Sequence, residues 1–118
     1  MDGNNTIDII ASSFNGTTYY FKNMNGLGTF ENQFMEIFSS MYAVYPADID
    51  GDGDLDIVGV KHVGGSEEGS EAVVWYENSD GLGNFIVKHD ISLQDIKGQA
   101  IHAADLDGDG DIDVLTTG

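Results

Sequence analysis

Short stretches of alternating apolar and polar residues recur along the chain, and turns rich in Gly, Asp and Asn separate them. Alternation with a period of two is typical of half-buried β-strands, whereas an amphipathic helix repeats about every 3.6 residues, a pattern that no segment sustains. The pattern therefore predicts an all-β fold. We predict strands near residues 6–12, 17–23, 29–38, 41–47, 55–63, 72–78, 84–91, 99–104 and 112–117.

An Asp-rich segment occurs three times in the sequence. Residues 47–58, which include the run Asp-Ile-Asp-Gly-Asp-Gly-Asp-Leu-Asp, recur 57 positions later as residues 104–115. A worn copy at residues 2–10 matches residues 50–58 at a spacing of 48 positions and starts at the third position of the run. Self-similarity at such a spacing indicates a repeat protein.

A second motif recurs between the Asp-rich segments. Residues 20–30 match residues 75–85 at a spacing of 55 positions, and both contain an aromatic pair, then Asn, then Asn-Gly or Asp-Gly, and finally Phe. Asn-Gly and Asp-Gly beside aromatic and β-branched residues predict hairpins. Four strands in a repeat of about 50 residues is the size of a β-propeller blade.

The repeat count predicts an incomplete propeller. We predict one repeat domain over residues 1–118 with about two four-stranded blades, divided roughly into a partial blade at 1–40, a full blade at 41–98 and the start of a third at 99–118. A closed propeller has about four to eight blades. We therefore expect either part of a longer repeat array or a protomer that completes a ring by homo-oligomerisation. In such a ring, residues 2–13 and residues 107–118 would occupy the same strand position at each junction. We expect the N-terminal segment to be displaced, because its Asp run is incomplete.

The two complete Asp runs have the ligand order of a calcium-binding loop, with Asp at positions 1, 3, 5, 7 and 9 and Gly at position 6. Carboxylate oxygens favour calcium over zinc or copper, and so many neighbouring negative charges are costly without a cation. We predict about two calcium ions per chain and no tightly bound metal at the worn copy. The predicted metal ligands are Asp48, Asp50, Asp52, Asp54, Asp56, Asp105, Asp107, Asp109, Asp111 and Asp113.

Two other interpretations of the Asp runs fit the sequence less well. An EF-hand requires a bidentate Glu at position 12 and a helix after the loop. This chain has Gly59 and Thr116 at that position, and β-branched runs follow both loops. Solvated turns without metal are the second alternative, which two complete copies of the run disfavour.

Charge and composition narrow the classes of partner. The 118 residues include 21 acidic and 4 basic side chains, for a formal net charge of −17, which excludes nucleic acid as a default partner and favours cations. An apolar fraction of 41% is sufficient for a folded core. The chain has no cysteine, and no apolar stretch approaches the roughly 20 residues that cross a bilayer, so we expect no membrane insertion.

The Asp runs followed by Asp-Ile-Val, with the Trp-Tyr-Glu-Asn hairpin, resemble the FG-GAP/VCBS repeats of integrin-alpha-like β-propellers over nearly the whole chain. The resemblance implies a calcium loop between the first and second strands of each blade. Such propellers occur in adhesion proteins, secreted bacterial surface proteins, some fungal lectins and some polysaccharide lyases. The resemblance thus implies an extracellular or cell-surface module that recognises a glycan or a protein. Its export signal is not present in this chain. The alternatives are a structural repeat of a larger secreted protein and an accessory propeller of a polysaccharide-degrading enzyme.

Four side chains are candidates for contact with an organic ligand. His102 aligns with Tyr45 on the strand that should be innermost, where both can line a central channel. Trp75 and Tyr76 can stack on sugars, although aromatic residues on strands also form the core between blades. The sequence contains no nucleophile elbow and no Gly-rich phosphate loop, so we predict that the protein is not an enzyme.

Overall fold

The computed structural model describes residues 1–13, 17–34, 41–63, 70–92 and 98–118. Within these ranges every regular element is a β-strand, which confirms the all-β prediction, and no helix is long and apolar enough to span a membrane. The strands are β1 (Ile9–Ser12), β2 (Thr18–Asn23), β3 (Phe30–Phe34), β4 (Met41–Ala47), β5 (Asp56–Val63), β6 (Ser70–Glu77), β7 (Val87–Ser92), β8 (Ala100–Ala104) and β9 (Asp113–Thr117).

The strand predictions agree with the structure to within a few residues. β1 begins three residues later than predicted because the preceding segment forms the worn Asp loop. β7 also begins three residues later than predicted, at Val87, and Phe85 before it is fully buried in the core instead of forming the start of the strand. The predicted end of the third strand, residues 35–38, lies outside the described residues.

The strands form three antiparallel sheets in chain order. The first contains β1-β2-β3, the second β4-β5-β6-β7, and the third β8-β9. The second sheet is a complete four-stranded blade. Because β1, β5 and β9 each follow an Asp-rich loop, they are equivalent strands, so the first sheet begins at the second strand of the repeat. The described residues do not show closure into a ring.

Two apolar cores lie on opposite faces of the second sheet. On the face toward the first sheet, Ile57 packs within the cluster that also holds Tyr76 and Phe85, and Ile10 of β1 contacts it. On the other face, Val58 packs with Ile101 and other residues of the third sheet. Consecutive side chains of a strand point to opposite faces, and residues 57–60 of β5 are all buried, so this part of the strand is covered on both sides. The sheets therefore stack face to face, as the blades of a propeller do.

Candidate metal centres

The first complete Asp run forms the loop between β4 and β5. Asp48 holds the loop closed, because its two carboxylate oxygens accept the N–H groups of Gly51 at 2.9 Å and Gly53 at 3.0 Å. Asp50 and Asp52 each accept the N–H two residues further on, at 3.2 and 2.9 Å. Both glycines have a positive φ, +76° and +96°, which permits this tight coil.

The second complete run repeats this hydrogen-bond pattern between β8 and β9. Asp105 accepts the N–H groups of Gly108 at 2.7 Å and Gly110 at 3.1 Å. Asp107 and Asp109 again accept the N–H two residues further on, at 3.1 and 2.9 Å. Two segments 57 positions apart thus adopt one local structure, which their shared sequence specifies.

Each loop gathers three carboxylates whose nearest oxygens lie within 4.8 Å of one another. A calcium ion takes about six to eight oxygen ligands at roughly 2.3–2.6 Å, so oxygens at this mutual spacing can share one ion. Both clusters can therefore hold a metal ion. The clustered residues are Asp48, Asp50 and Asp56 in the first loop and Asp105, Asp107 and Asp109 in the second.

The remaining predicted ligands occupy other places in the two loops. Asp54, at position 7, directs its carboxylate toward the neighbouring hairpin, where a Cβ on Gly81 would lie 2.5 Å from its Oδ2. Position 7 of a calcium loop contributes its backbone carbonyl, so an outward side chain is compatible with that role. Asp52 lies in the turn described above, Asp111 is exposed at position 7 of the second loop, and Asp113 accepts the Leu106 N–H at 3.0 Å.

Asp56, at position 9, is the buried member of the first cluster, with 1% of its surface exposed. Its carboxylate accepts the N–H groups of Ile49 at 3.0 Å and Asn78 at 2.8 Å. Burial raises its pKa, the two hydrogen bonds oppose that shift, and the nearby charges of Asp50 and Asp52 add to it, so the net shift is upward. A cation beside Asp56 would favour its ionised form.

Asn78 joins the first metal loop to the aromatic hairpin, and its side chain is fully buried. Its backbone N–H binds Asp56, its Nδ2 donates to the Leu55 carbonyl at 3.2 Å, and its Oδ1 accepts the Gly83 N–H at 2.8 Å. Both the amide nitrogen and the amide oxygen of the Asn78 side chain therefore form hydrogen bonds to the loop or the hairpin. The Asn fixes the loop against the sheet.

The first repeat contains the same connection. The N–H of Asn23 donates to Asp8 Oδ1 at 2.8 Å, and its Nδ2 donates to the Ile7 carbonyl at 3.1 Å. Neither Asn is among the site residues predicted from the sequence. The available signal was the recurrence of Asn at the same place in both aromatic hairpin motifs, at positions 23 and 78.

The worn loop before β1 contains an amine beside its acidic residues. The ammonium Nζ of Lys22 lies 2.8 Å from Asp2 Oδ2, and the side chain of Asp2 is 2% exposed. This hydrogen bond raises the pKa of Lys22. In the second repeat the position of Lys22 is taken by Glu77. The loop without a complete ligand set therefore carries its own positive charge, supplied by a neighbouring strand.

Asp8 is the equivalent of Asp56 in the worn loop. Burial would raise its pKa, but hydrogen bonds from the Asn23 N–H, the Tyr20 hydroxyl and the N-terminal ammonium outweigh that effect and lower the pKa. The Tyr20 hydroxyl donates to Asp8 Oδ2 at 2.8 Å. Protein groups thus lower the pKa of Asp8 overall, whereas at Asp56 burial outweighs the two N–H groups and the pKa is raised.

The structure brings Tyr45 and His102 together. Their rings, on β4 and β8, lie 4.4 Å apart at an interplanar angle of 63°. Tyr45 is half-buried and His102 is exposed. The pair therefore forms a small polar aromatic surface across two sheets, and its role in ligand contact stays a prediction.

Trp75 and Tyr76 point to opposite faces of the second sheet. Trp75 packs against the second core and stacks on His89, with ring centroids 4.2 Å apart and an angle of 14°. His89 in turn lies 2.8 Å from Glu77 through its Nε2. Tyr76 is 3% exposed within the first core. These placements match the core role that the sequence left open beside sugar contact.

Stacked antiparallel sheets, with an Asp-rich loop ahead of the second strand of each repeat, define a repeat protein of the propeller type. The chain matches the FG-GAP-like repeat family twice, over residues 1–59 and 63–116. Because the matches span nearly its full length, the chain belongs to this family, as the motifs predicted. No significant match was found among curated proteins or solved structures.

Proposed function

We propose that the chain is a calcium-binding, non-catalytic recognition module of an extracellular protein. The observation that supports this most strongly is the shared geometry of the two complete loops: equivalent backbone N–H groups hold the first carboxylate of each loop, Asp48 or Asp105, and each loop gathers three carboxylates into a cluster. FG-GAP repeats occur in extracellular proteins and are typically non-catalytic. Millimolar calcium, as found outside cells, suits sites with dissociation constants of about 10⁻⁴ to 10⁻³ M.

Calorimetric titration of the chelator-treated chain tests the calcium sites. We expect two ions per chain, each stabilising the fold by on the order of 1 kcal/mol at millimolar calcium. Asp50→Ala and Asp107→Ala, at the same position of the two loops, should each remove one ion. Asn4→Ala, in the worn loop, is the matched control and should leave both. Two undiminished sites in both Asp variants, or no binding to the unaltered chain, would refute the assignment.

The recognition role is proposed for a glycan or a protein ligand, contacted through the Tyr45 and His102 surface. Stacking of His89 on Trp75 leaves Tyr45 and His102 as the more accessible pair among the four candidates. A glycan array screened with calcium and with chelator distinguishes the two ligand classes. Calcium-dependent glycan binding that Tyr45→Ala and His102→Ala abolish supports a lectin role.

Two alternatives remain for the biological context. The chain can serve as a structural repeat of a larger secreted protein, or as an accessory propeller of a polysaccharide-degrading enzyme. Both retain calcium-dependent folding of the loops. Neither predicts glycan binding through Tyr45 and His102 by this chain alone, so the same array separates them from a lectin.

A further inference from the structure

The first complete loop is organised by two different parts of the chain. Its first half is closed by its own side chains, because Asp48 accepts the N–H groups of Gly51 and Gly53. Its last three residues, at positions 7 to 9 of the run, contact the hairpin between β6 and β7. Positions 7 and 9 both belong to the ligand order of a calcium loop. The hairpin therefore contacts ligand positions that Asp48 does not hold.

The hairpin makes one contact at each of these three positions. Position 7 is Asp54, whose carboxylate lies against Gly81, because a Cβ on that glycine would be 2.5 Å from Asp54 Oδ2. Position 8 is Leu55, whose carbonyl accepts Asn78 Nδ2 at 3.2 Å. Position 9 is Asp56, whose Oδ1 accepts the backbone N–H of Asn78 at 2.8 Å. Asn78 therefore fixes the backbone between two ligand positions, and Gly81 leaves room for the side chain of Asp54.

Asn78 is a rigid anchor, because each of its polar groups is bonded within the protein. Its side chain is 0% exposed. Its Oδ1 accepts the Gly83 N–H at 2.8 Å, its Nδ2 also donates to the Met1 carbonyl at 2.7 Å, and its backbone carbonyl accepts the Gly81 N–H at 3.0 Å. Both glycines have a positive φ, +64° and +82°, which lets the hairpin wrap around the carboxamide. A buried polar network that is fully satisfied is rigid, so Asn78 does not turn away from the loop.

Asp56 keeps room for a cation after these contacts are made. Among the described residues it accepts two N–H groups, from Ile49 on one oxygen and from Asn78 on the other. An ionised carboxylate has about four lone-pair sites, so about two remain. A carboxylate that is held from both sides stays in the cluster with Asp48 and Asp50, and it loses little further side-chain entropy when an ion binds.

The first repeat has the same Asn contact but a carboxylate with less spare capacity. Asn23 donates its N–H to Asp8 Oδ1 and its Nδ2 to the Ile7 carbonyl. The other oxygen of Asp8 accepts the Tyr20 hydroxyl at 2.8 Å. Trp75 stands at the position of Tyr20 in the second repeat and has no hydroxyl to donate. The Asn contact is thus common to both repeats, and the carboxylate with spare acceptor capacity occurs where the aromatic residue supplies no hydroxyl.

We propose that Asn78, with Gly81 beside it, is a positioning residue for the calcium ion of the first complete loop. It acts without touching the ion. By holding the Asp56 carboxylate and the Leu55 carbonyl, it places the ligands at positions 7 and 9 before the ion arrives. Replacement of such supporting residues in metal sites typically weakens metal binding by about 10–100-fold. The inference rests on the proposed calcium site and adds the residue that sets its affinity.

Calorimetric titration with calcium in an Asp107→Ala background, in which only the first complete loop should bind, measures the effect. Asn78→Ala should weaken calcium binding by about 10-fold or more. Asn23→Ala is the matched control, because it removes the equivalent bonds to the worn loop, and it should leave the affinity unchanged. Equal affinity with and without the Asn78 side chain, or equal weakening by both Asn variants, overturns the positioning role.

The number of water molecules on a bound terbium ion is a readout that a general loss of stability does not change. Luminescence lifetimes in water and in heavy water count these molecules. Terbium in the first complete loop should carry additional water in Asn78→Ala, because water takes the coordination position that a displaced ligand leaves. Asn23→Ala should keep the water count of the background chain. An unchanged count in Asn78→Ala overturns the proposal.

A second pair of variants retains the Asn78 side chain, and so gives an answer even where Asn78→Ala does not fold. Gly81→Ala places a Cβ 2.5 Å from Asp54 Oδ2, whereas Gly26→Ala, at the same position of the first hairpin, places one 3.4 Å from Thr6 Cγ2. The two glycines have similar φ values, +64° and +69°, so both variants carry the same backbone strain. Calcium affinity should fall in Gly81→Ala and not in Gly26→Ala. Equal affinity in the two variants contradicts the role of the hairpin.

The Asp107→Ala chain also separates this inference from the proposed function. One calcium ion bound by this chain supports the site, and an affinity that Asn78→Ala leaves unchanged then contradicts the positioning role alone. No ion bound by this chain contradicts the calcium site, and the positioning role with it.

Discussion

Replacement of Asp56 separates the structural role of a loop carboxylate from its role in metal binding. Asp56 and Asp50 belong to the same acidic cluster. Asp56 is buried and accepts two backbone N–H groups, from Ile49 and Asn78. Asp50 is exposed and accepts one local N–H, from Asp52. Asp56→Ala and Asp50→Ala should therefore differ in the free energy of unfolding measured without calcium, and both should lose the calcium ion of this loop.

The expected magnitude follows from the two hydrogen bonds. Asp56→Ala leaves two buried N–H groups without an acceptor, at about 1–3 kcal/mol each. Part of this loss is offset because burial already disfavours the ionised carboxylate, as its raised pKa indicates. We expect a net decrease of about 2–4 kcal/mol in the free energy of unfolding, or roughly 8–16 °C in Tm. In chelator, Asp50→Ala should stay within about 0.5 kcal/mol, since it removes an exposed like charge.

Urea unfolding measured by the fluorescence of Trp75, the single tryptophan, gives these values in chelator and in calcium. In calcium, Asp50→Ala should lose on the order of 1 kcal/mol relative to the unaltered chain, because its site no longer binds the ion. Equal stability of the two variants in chelator would refute the reasoning, as would an Asp56→Ala chain as stable as the unaltered one.

Two further predictions concern the worn loop. Lys22→Met removes the cation beside the buried Asp2 and should lower the free energy of unfolding in urea by about 1–3 kcal/mol. The control Lys88→Met removes an exposed ion pair and should lower it by less than about 0.5 kcal/mol. Equal losses in the two variants would contradict the charge-balancing role of Lys22. Because the pKa of Asp8 is lowered in the folded protein, its ionised carboxylate stabilises the fold above its unfolded pKa of about 3.8, and this stabilisation is lost as pH falls through the folded pKa. Asp8→Asn should therefore flatten the dependence of the free energy of unfolding on pH below about pH 4. An unchanged slope in acid unfolding would disprove this.

Alternation and turn residues were sufficient to predict all the strands of the described structure, because the sheets are antiparallel and their turns contain Gly, Asn and Asp. The errors fell where a loop or a core contact overrides local pattern. Residues 6–8 have the composition of a strand, but Asp8 is held in the worn loop by Asn23. Phe85 looked like the start of a strand, but its ring packs in the core against Tyr20.

The candidate metal centres were predictable because their ligands lie within nine consecutive residues. The contacts that support them were not, since they depend on how strands pair. Lys22 is 20 residues from Asp2 in sequence, and no local pattern joins them. The dependence of Asp56 on Asn78 arises from the hairpin of another strand pair, 22 positions away.

A crystal structure determined in millimolar calcium, with anomalous diffraction data, tests the central claim most directly. The account predicts one calcium peak in each complete loop, at about 2.3–2.6 Å from carboxylate oxygens of Asp48 and Asp50 in the first and of Asp105 and Asp107 in the second. It predicts no peak beside Lys22. Anomalous density in neither loop, or in the worn loop instead, would contradict it.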